Sequence, residues 1–366
     1  MAAERYESTY HDPAPLGGPL RFGFSGRTVQ NRFLKSPITE RLATWHPKEP
    51  SKRGVPTKEI INLYRRWGEG SYGVIVSGNV MTEDEHLEAP GNLVIPRGSP
   101  FEGDRFDAYR ELAAAGKRQG STFVLQISHP GRQAYSILLN TSVQPNRISA
   151  SDVQLQGEIF GMTFAKPKAI NKSEILQVID GFAHAAVYAY KAGFDRVDEL
   201  EKREFDYVEL IGGTFEALAF HHARESTIKR EAFFLEFADI IAQELKKTKV
   251  YVTGGLRTVQ GMVRALDTVS GVGIGRPACH KFDLPKRILN QGVQGALDYL
   301  MTDVASGLQV RLVGHDKEPL DLTRLEHLGV FQRSMQNWIE EAAADHDNWK
   351  PGWPGVDSNA MDLMLF

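Results

Sequence analysis

Residues 251–283 read YVTGGLRTVQGMVRALDTVSGVGIGRPACHKFD, and the architecture expected of the chain follows from them. Two short apolar runs, 250–253 and 271–274, each run into glycine, with a helical segment between them. Strand, glycine turn, helix, strand, glycine turn is the sequence form of a parallel βαβ unit. The first run leaves through Thr253-Gly254-Gly255-Leu256-Arg257-Thr258, the second through Ile274-Gly275-Arg276-Pro277. Glycine lets backbone N–H groups come close to an anion, and a helix start adds the positive end of its dipole. Arg276 adds a forked, permanently charged partner for phosphate. In an eight-stranded α/β barrel the loops after strands seven and eight commonly build such a site. The plainer alternative, glycines that only make tight turns, stays open on these residues alone.

The same alternation continues upstream. Residues 32–38 (RFLKSPI) read as a strand that stops at Pro37, which has no N–H for a ladder, and the polar turn Thr39-Glu40-Arg41 follows. Thr57 is placed to cap a helix in TKEIINLYRRWGEG, with Ile60, Ile61, Tyr64 and Trp67 at helical spacing. Residues 73–80 (GVIVSGNV) form a buried strand with Ser77-Gly78 at its end, and a helix is expected over 101–119. Residues 123–128 (FVLQIS) give a third strand, followed at once by His129-Pro130-Gly131-Arg132. The long connection 133–170 has little periodicity, and such excursions tend to cover a site. A helix starting at Ser173 carries Ile175, Val178, Ile179, Phe182, Ala186 and Ala189 as its inner stripe and stops at Gly193. Strand and helix alternating in this way predict a parallel barrel. Gln126 is informative within it: an amide late in an apolar strand needs a partner, and at that end of a barrel strand the partner is often a ligand.

With 366 residues, 42% hydrophobic and 24% charged, the composition is that of a globular barrel with extensions. A net charge of −3 gives no electrostatic case for nucleic acid or an anionic membrane, and no apolar run approaches a membrane span. The one cysteine, Cys279, excludes an internal disulfide framework and a cysteine-cluster metal site, so a reducing, cytoplasmic setting is expected.

Six segments together resemble the Old Yellow Enzyme family, more broadly the NADH:flavin oxidoreductases of the NADH-oxidase type. They are 33–39 (FLKSPIT), 126–132 (QISHPGR), 167–175 (PKAINKSEI), 208–216 (VELIGGTFE), 253–258 (TGGLRT) and 273–277 (GIGRP), in the family's order across about residues 20–300. The resemblance implies an FMN-binding (β/α)8 TIM barrel in which NADH or NADPH reduces the flavin and the flavin passes hydride to a small-molecule electron acceptor, typically an activated alkene. It implies that Pro37, Ile38 and Thr39 pack beside the isoalloxazine, that Gly78 lies against the ring, and that Gln126 hydrogen-bonds the flavin pyrimidine. Gly254, Gly255, Gly275 and Arg276 match the phosphate cradle, which residue chemistry had already indicated.

The departure from the family is equally specific. After Gly193-Phe194-Asp195 the family continues through the end of strand four, whose His-Gly-x-His/Asn-Gly-Tyr type motif holds the acceptor's carbonyl, and then through strand five. Here a charged run, 196–204, leads directly into the match to strand six, so the sequence reads as a barrel with an internal deletion near 195–205. Weaker alternatives for the missing chemistry are His129 and Tyr135; Glu209 has no assigned role, and no metal-binding motif is present. The expected layout is a lead-in over 1–30, a barrel over 31–300, and an extension over 301–366 that docks on the barrel or a neighbouring subunit or stays disordered. Two rival readings remain: an inactive remnant acting as an interaction protein, and a flavin-free barrel enzyme for a phosphorylated substrate. A homo-oligomer is compatible with the sequence but not required by it.

Overall fold

In a sheet that stays open, the first strand and the last seldom meet; here they pair. The computed structural model describes residues 4–134, 147–159, 162–195, 205–211, 235, 238–299, 305–345, 347 and 350–356. Its main strands are β1 (Phe33–Lys35), β2 (Val74–Met81), β3 (Thr122–Ser128), β4 (Tyr207–Ile211), β5 (Lys249–Thr253) and β6 (Gly271–Ile274). All pair in parallel, in the spatial order β4-β5-β6-β1-β2-β3, so β6 lies beside β1. A sheet whose end has curled round to its beginning is a barrel wall. At the far edge Asp195 N–H donates to the Phe123 carbonyl at 2.9 Å, so the chain at Phe194-Asp195 lies against β3.

The inward phase of the wall carries Leu34, Val74, Val76, Tyr207 and Tyr251, and these bury against Leu20, Phe22 and Val29 of a small antiparallel hairpin, Leu20–Arg21 with Thr28–Val29. Phe22 stacks on Tyr207 at 5.8 Å, and Tyr207 meets Tyr251 edge-on at 5.4 Å. The hairpin plugs the N-terminal mouth of the barrel. Its turn also reaches both sides of the gap. Ser25 N–H donates to Asp206 at 2.9 Å beside β4, and Arg27 donates to Asp195 at 2.7 Å beside β3. Asp195 further accepts from Phe123 N–H at 2.9 Å and from Lys117 at 3.1 Å. Asp195, just before the run 196–204, and Asp206, two residues after it, are thus fastened to one turn.

Outside the wall, Phe33, Ile75, Phe123, Leu125, Val250, Val252, Val272 and Ile274 form one core with the helices. Thr57 caps α1 (Lys58–Glu69) as expected, its hydroxyl accepting from Ile60 N–H. Strand ends and helix ends otherwise differ from the sequence reading by a few residues; α2, for instance, is Asp104–Lys117. Helix α3 (Lys172–Lys191) starts with an Asn171–Glu174 capping box rather than at Ser173.

The face that α3 buries coincides with the stripe its apolar period suggests only at Ala189. Gly181, Ala185, Tyr188 and Ala189 face inward, while Ile175 (43% exposed) and Ile179 (58%) face solvent with Leu176, Val187 and Tyr190. Small residues explain the rotation. A Cβ on Gly181 would meet Thr82 at 3.3 Å, so the helix axis can lie close to the β2 loop, and Tyr188 packs edge-on against Phe106 and Tyr109 of α2. Close backbone approach plus an aromatic cluster outweighs burial of the more apolar opposite stripe.

One charged side chain lies wholly inside the outer core. Lys35 donates to the Val76 carbonyl at 2.9 Å and lies 4.0 Å from the Trp67 ring. Burial, partly opposed by Glu40, pushes its pKa down from 10.5 to about 8. Below that value both folded and unfolded chains carry the charge and the folded state bears the full desolvation cost. Between about 8 and 10.5 the unfolded chain binds more protons, so this residue makes stability rise with pH, by on the order of 3 kcal/mol over the window. Denaturant midpoints measured from about pH 7.5 to 9.5 are expected to show this rise in the wild type relative to Lys35→Met; parallel curves would disprove it.

Candidate functional site

The residues singled out from sequence gather at the C-terminal rim of the wall, where the loops after parallel strands converge. The turn after β1 carries Pro37, Ile38 and Thr39; Gly78 lies in β2, Gln126 in β3, Gly254 and Gly255 follow β5, and Gly275 and Arg276 follow β6.

Within the barrel mouth the inward phase turns polar. Ser36 and Thr253 share a hydrogen bond at 2.8 Å, and Thr253 Oγ1 donates to Glu209 at 2.6 Å. Enclosure raises the Glu209 pKa above the usual carboxylate range, against the hydrogen bonds from Thr253 and Ser36 that lower it. Glu209, left without a role by the sequence, is therefore an inward group of this layer. Gln126 shares the inward phase with Val124, while Leu125 and Ile127 join the outer core. Its side chain is exposed in a strand whose preceding residue, Leu125, is buried, and among the described residues no protein group is hydrogen-bonded to its amide. An amide in the mouth with no hydrogen-bond partner among the described residues suits a ligand contact.

The cradle glycines are there for geometric reasons. Gly255 has φ +69°, in the left-handed region, and Gly254 has φ +143°. A Cβ on Gly275 would touch nothing closer than Thr253 Cγ2 at 4.0 Å, so this glycine faces open space beside Arg276. Arg276 opens the short helix α5 (Pro277–His280, following α4, Val259–Ala265). Glycine turns and the open volume at Gly275, with Arg276 next in the chain, suit a phosphate.

Gly78 also has a packing role within the protein. A Cβ there would lie 2.2 Å from Glu40 Oε2 and 2.4 Å from the Ile38 carbonyl. The glycine lets the turn 37–41 seat directly on β2. Gly78 N–H donates to Glu40 at 2.8 Å, and Tyr64 donates its hydroxyl to the same carboxylate. Burial raises the Glu40 pKa while Lys35, Tyr64 and Gly78 oppose the rise.

A network outside the sequence reading holds Thr39 in place. Arg41 pairs with Glu88 at 3.3 Å, each only 8% exposed, and Glu88 also accepts from Asn79 and, at 3.5 Å, from Thr39 Oγ1. Arg41 has φ +51°, a conformation that costs a non-glycine residue about 1 kcal/mol. The signal lay in Glu88-Ala-Pro-Gly-Asn92, a polar stretch that only the folded β2 loop brings under Thr39.

His129 takes part in a separate cluster. Its ring lies 5.4 Å from that of His86, which pairs with Glu83. Its Nδ1 accepts from Gly131 N–H at 3.1 Å, so in the neutral ring the proton sits on Nε2. Burial first, and then His86, bring its pKa down to about 4. It continues the outward phase of β3, opposite to Gln126. The three ligand-type atoms of Glu83, His86 and His129 lie within 4.8 Å of one another, but an Nε2 that bears the proton has no lone pair for a metal. Tyr135 lies outside the described residues, as does the run 196–204.

Against this geometry the comparisons with known proteins are decisive. The model of the NADH:flavin oxidoreductase / NADH oxidase family matches residues 15–201. A relative named NADH-dependent flavin oxidoreductase nadA, from Aspergillus parasiticus, is 36% identical, the alignment covering 97% of this chain and 98% of the relative. The chain belongs to the NADH:flavin oxidoreductase / NADH oxidase family. A second member, NADH-dependent flavin oxidoreductase iliE from Hypocrea jecorina, is 24% identical over 72% of the chain and 86% of its own length. Among solved structures, the old yellow enzyme homologue from Zymomonas mobilis superposes with a TM-score of 0.55 at 17% identity, covering 84% of this chain and 98% of that one. Morphinone reductase gives 0.54 at 16%, over 80% and 93%. These two structural likenesses establish the fold, that of the family's TIM barrel. The nadA alignment runs over 441 positions against a chain of 366, so at least 75 of those positions stand opposite gaps in this chain. Among the described residues no helix is long and apolar enough to cross a membrane.

Proposed function

We propose that this family member is an FMN-dependent oxidoreductase that takes reducing equivalents from NADH or NADPH and delivers them to a small-molecule acceptor. The observation that carries the reading is the exposed Gln126 amide standing in an otherwise packed inward phase, on the same rim as the open glycine cradle beside Arg276. An amide presents both a donor and an acceptor, as the pyrimidine edge of a flavin requires. Gly254, Gly255, Gly275 and Arg276 would hold the phosphate, Gln126 the pyrimidine, and the turn 37–39 the reactive edge. When bound, FMN would accept hydride from the nicotinamide and pass it on, chemistry that belongs to the cofactor. The chain's own contribution is to bind, to orient and to keep the ring against a rigid wall.

We infer further that the positions absent relative to nadA fall between Asp195 and Phe205. Asp195 is hydrogen-bonded to the edge of β3, and Asp206 leads straight into β4. The residues that grip an acceptor's carbonyl in the family belong to that interval. Losing preorganised donors at an oxyanion typically lowers turnover by about a hundredfold or more. Turnover of NADH with cyclohexenone is therefore expected to be at least about a hundredfold slower than in an intact relative assayed alongside. A rate matching the intact relative would overturn this placement of the gap or the role given to the missing donors.

A further inference from the structure

The C-terminal extension meets the barrel mouth at Trp353. Trp353 donates its Nε1–H to the Glu40 carbonyl at 2.9 Å, and the Arg41 guanidinium lies 4.6 Å from its ring. On its other face the ring occupies the space a side chain would take at Gly307 in helix α7 (Ala305–Gly314, which follows α6, Leu284–Gln291), where a Cβ would come within 2.1 Å of the indole. Glycine inside a helix carries an entropic penalty, so its presence at the point of contact marks a slot shaped for the indole. Arg311, one turn on in α7, donates to the Trp353 carbonyl. Gly352 and Gly91 flank the Arg41 carbonyl, with virtual Cβ distances of 3.1 and 2.7 Å. Trp353 is half-buried and the following Pro354 is buried.

We propose that Trp353 is a positioning residue for the flavin's reactive edge. It grips residues 40 and 41, the far end of the turn that begins at Pro37, and Arg41 transmits the grip through Glu88 to Asn79 and Thr39. The left-handed φ of Arg41 is a strained conformation that needs outside contacts to hold it, and Trp353 with its neighbour Gly352 supplies them. In this arrangement the tail sets where the Thr39 hydroxyl stands. The effect on flavin chemistry rests on the flavin reading above; the effect on the turn does not.

The experiment uses the full chain with Trp353→Ala, Trp353→Phe and Gly307→Val. The last fills the slot from below and leaves Trp353 itself intact. Amide hydrogen exchange in residues 37–43 is expected to quicken at least about tenfold in Trp353→Ala and Gly307→Val, and less in Trp353→Phe, which keeps a ring for Arg41 but loses the Nε1–H. With FMN added, the dissociation constant is expected to stay within about threefold of wild type, while the rate of flavin reduction by NADH falls about tenfold and the midpoint potential shifts. Wild-type exchange in both slot variants overturns the proposal. So does a reduction rate that falls only in proportion to FMN lost, or one that is unchanged. A wild-type chain that takes up no FMN overturns the flavin reading instead, and the exchange result alone then decides the role of Trp353.

Discussion

Arg276→Ala is expected to weaken FMN binding about a hundredfold, some 2.7 kcal/mol, while leaving the fold intact. A guanidinium that meets a phosphate through two charge-assisted hydrogen bonds contributes on this scale, more than any one backbone N–H of the cradle. Arg276 sits after β6 at the start of α5, half-buried, with the open side of Gly275 next to it. Its removal leaves the glycine backbone of the cradle unchanged, so the loss should appear chiefly in affinity. Arg276→Lys keeps the charge but not the fork, and about tenfold weakening is expected. Quenching of flavin fluorescence on titration measures both. An unchanged dissociation constant in Arg276→Ala would mean the phosphate is bound elsewhere, and the cradle would revert to a pair of tight turns.

The second large effect concerns the gap. Asp195→Ala is expected to cost about 3 kcal/mol, because one largely buried carboxylate accepts from Phe123 N–H, Arg27 and Lys117 together. Removing it leaves the Phe123 N–H without its acceptor and frees the hairpin turn from the β3 side of the gap. Asp195→Asn, which keeps an acceptor for that N–H, should lose about half as much. Arg27→Ala should cost under about 1 kcal/mol, since Arg27 is 43% exposed and water replaces much of what it gives. Urea unfolding of the three variants tests the ranking. If Asp195→Ala costs no more than Arg27→Ala, the hairpin does not hold the two edges together.

The barrel wall was legible because its signals are local. The runs that became β5 and β6 are short, apolar and closed by glycine, and the Thr57 cap lies beside the helix it starts. What escaped the sequence depends on contacts between distant segments. The rotation of α3 follows from the fit of Gly181 against Thr82, which no periodicity contains. The packing role of Gly78 lies in the seating of Glu40 and Ile38, nearly 40 positions earlier. Glu88, Arg41 and Trp353 come together from three separate stretches, and alone each looks like an ordinary surface or tail residue. The hairpin turn that ties Asp195 to Asp206 lies some 170 positions upstream, in what reads as a polar lead-in.

The central claim is that a wall lacking positions its relatives possess still forms a flavin site. Its most direct test is the absorbance spectrum of the purified chain after equilibration with FMN and removal of the excess. The account predicts the two flavin bands of the near ultraviolet and the blue, at about one FMN per chain, with the shape altered from that of free FMN. A protein that stays colourless would contradict it, and would mean that the absent segment was needed to build the site.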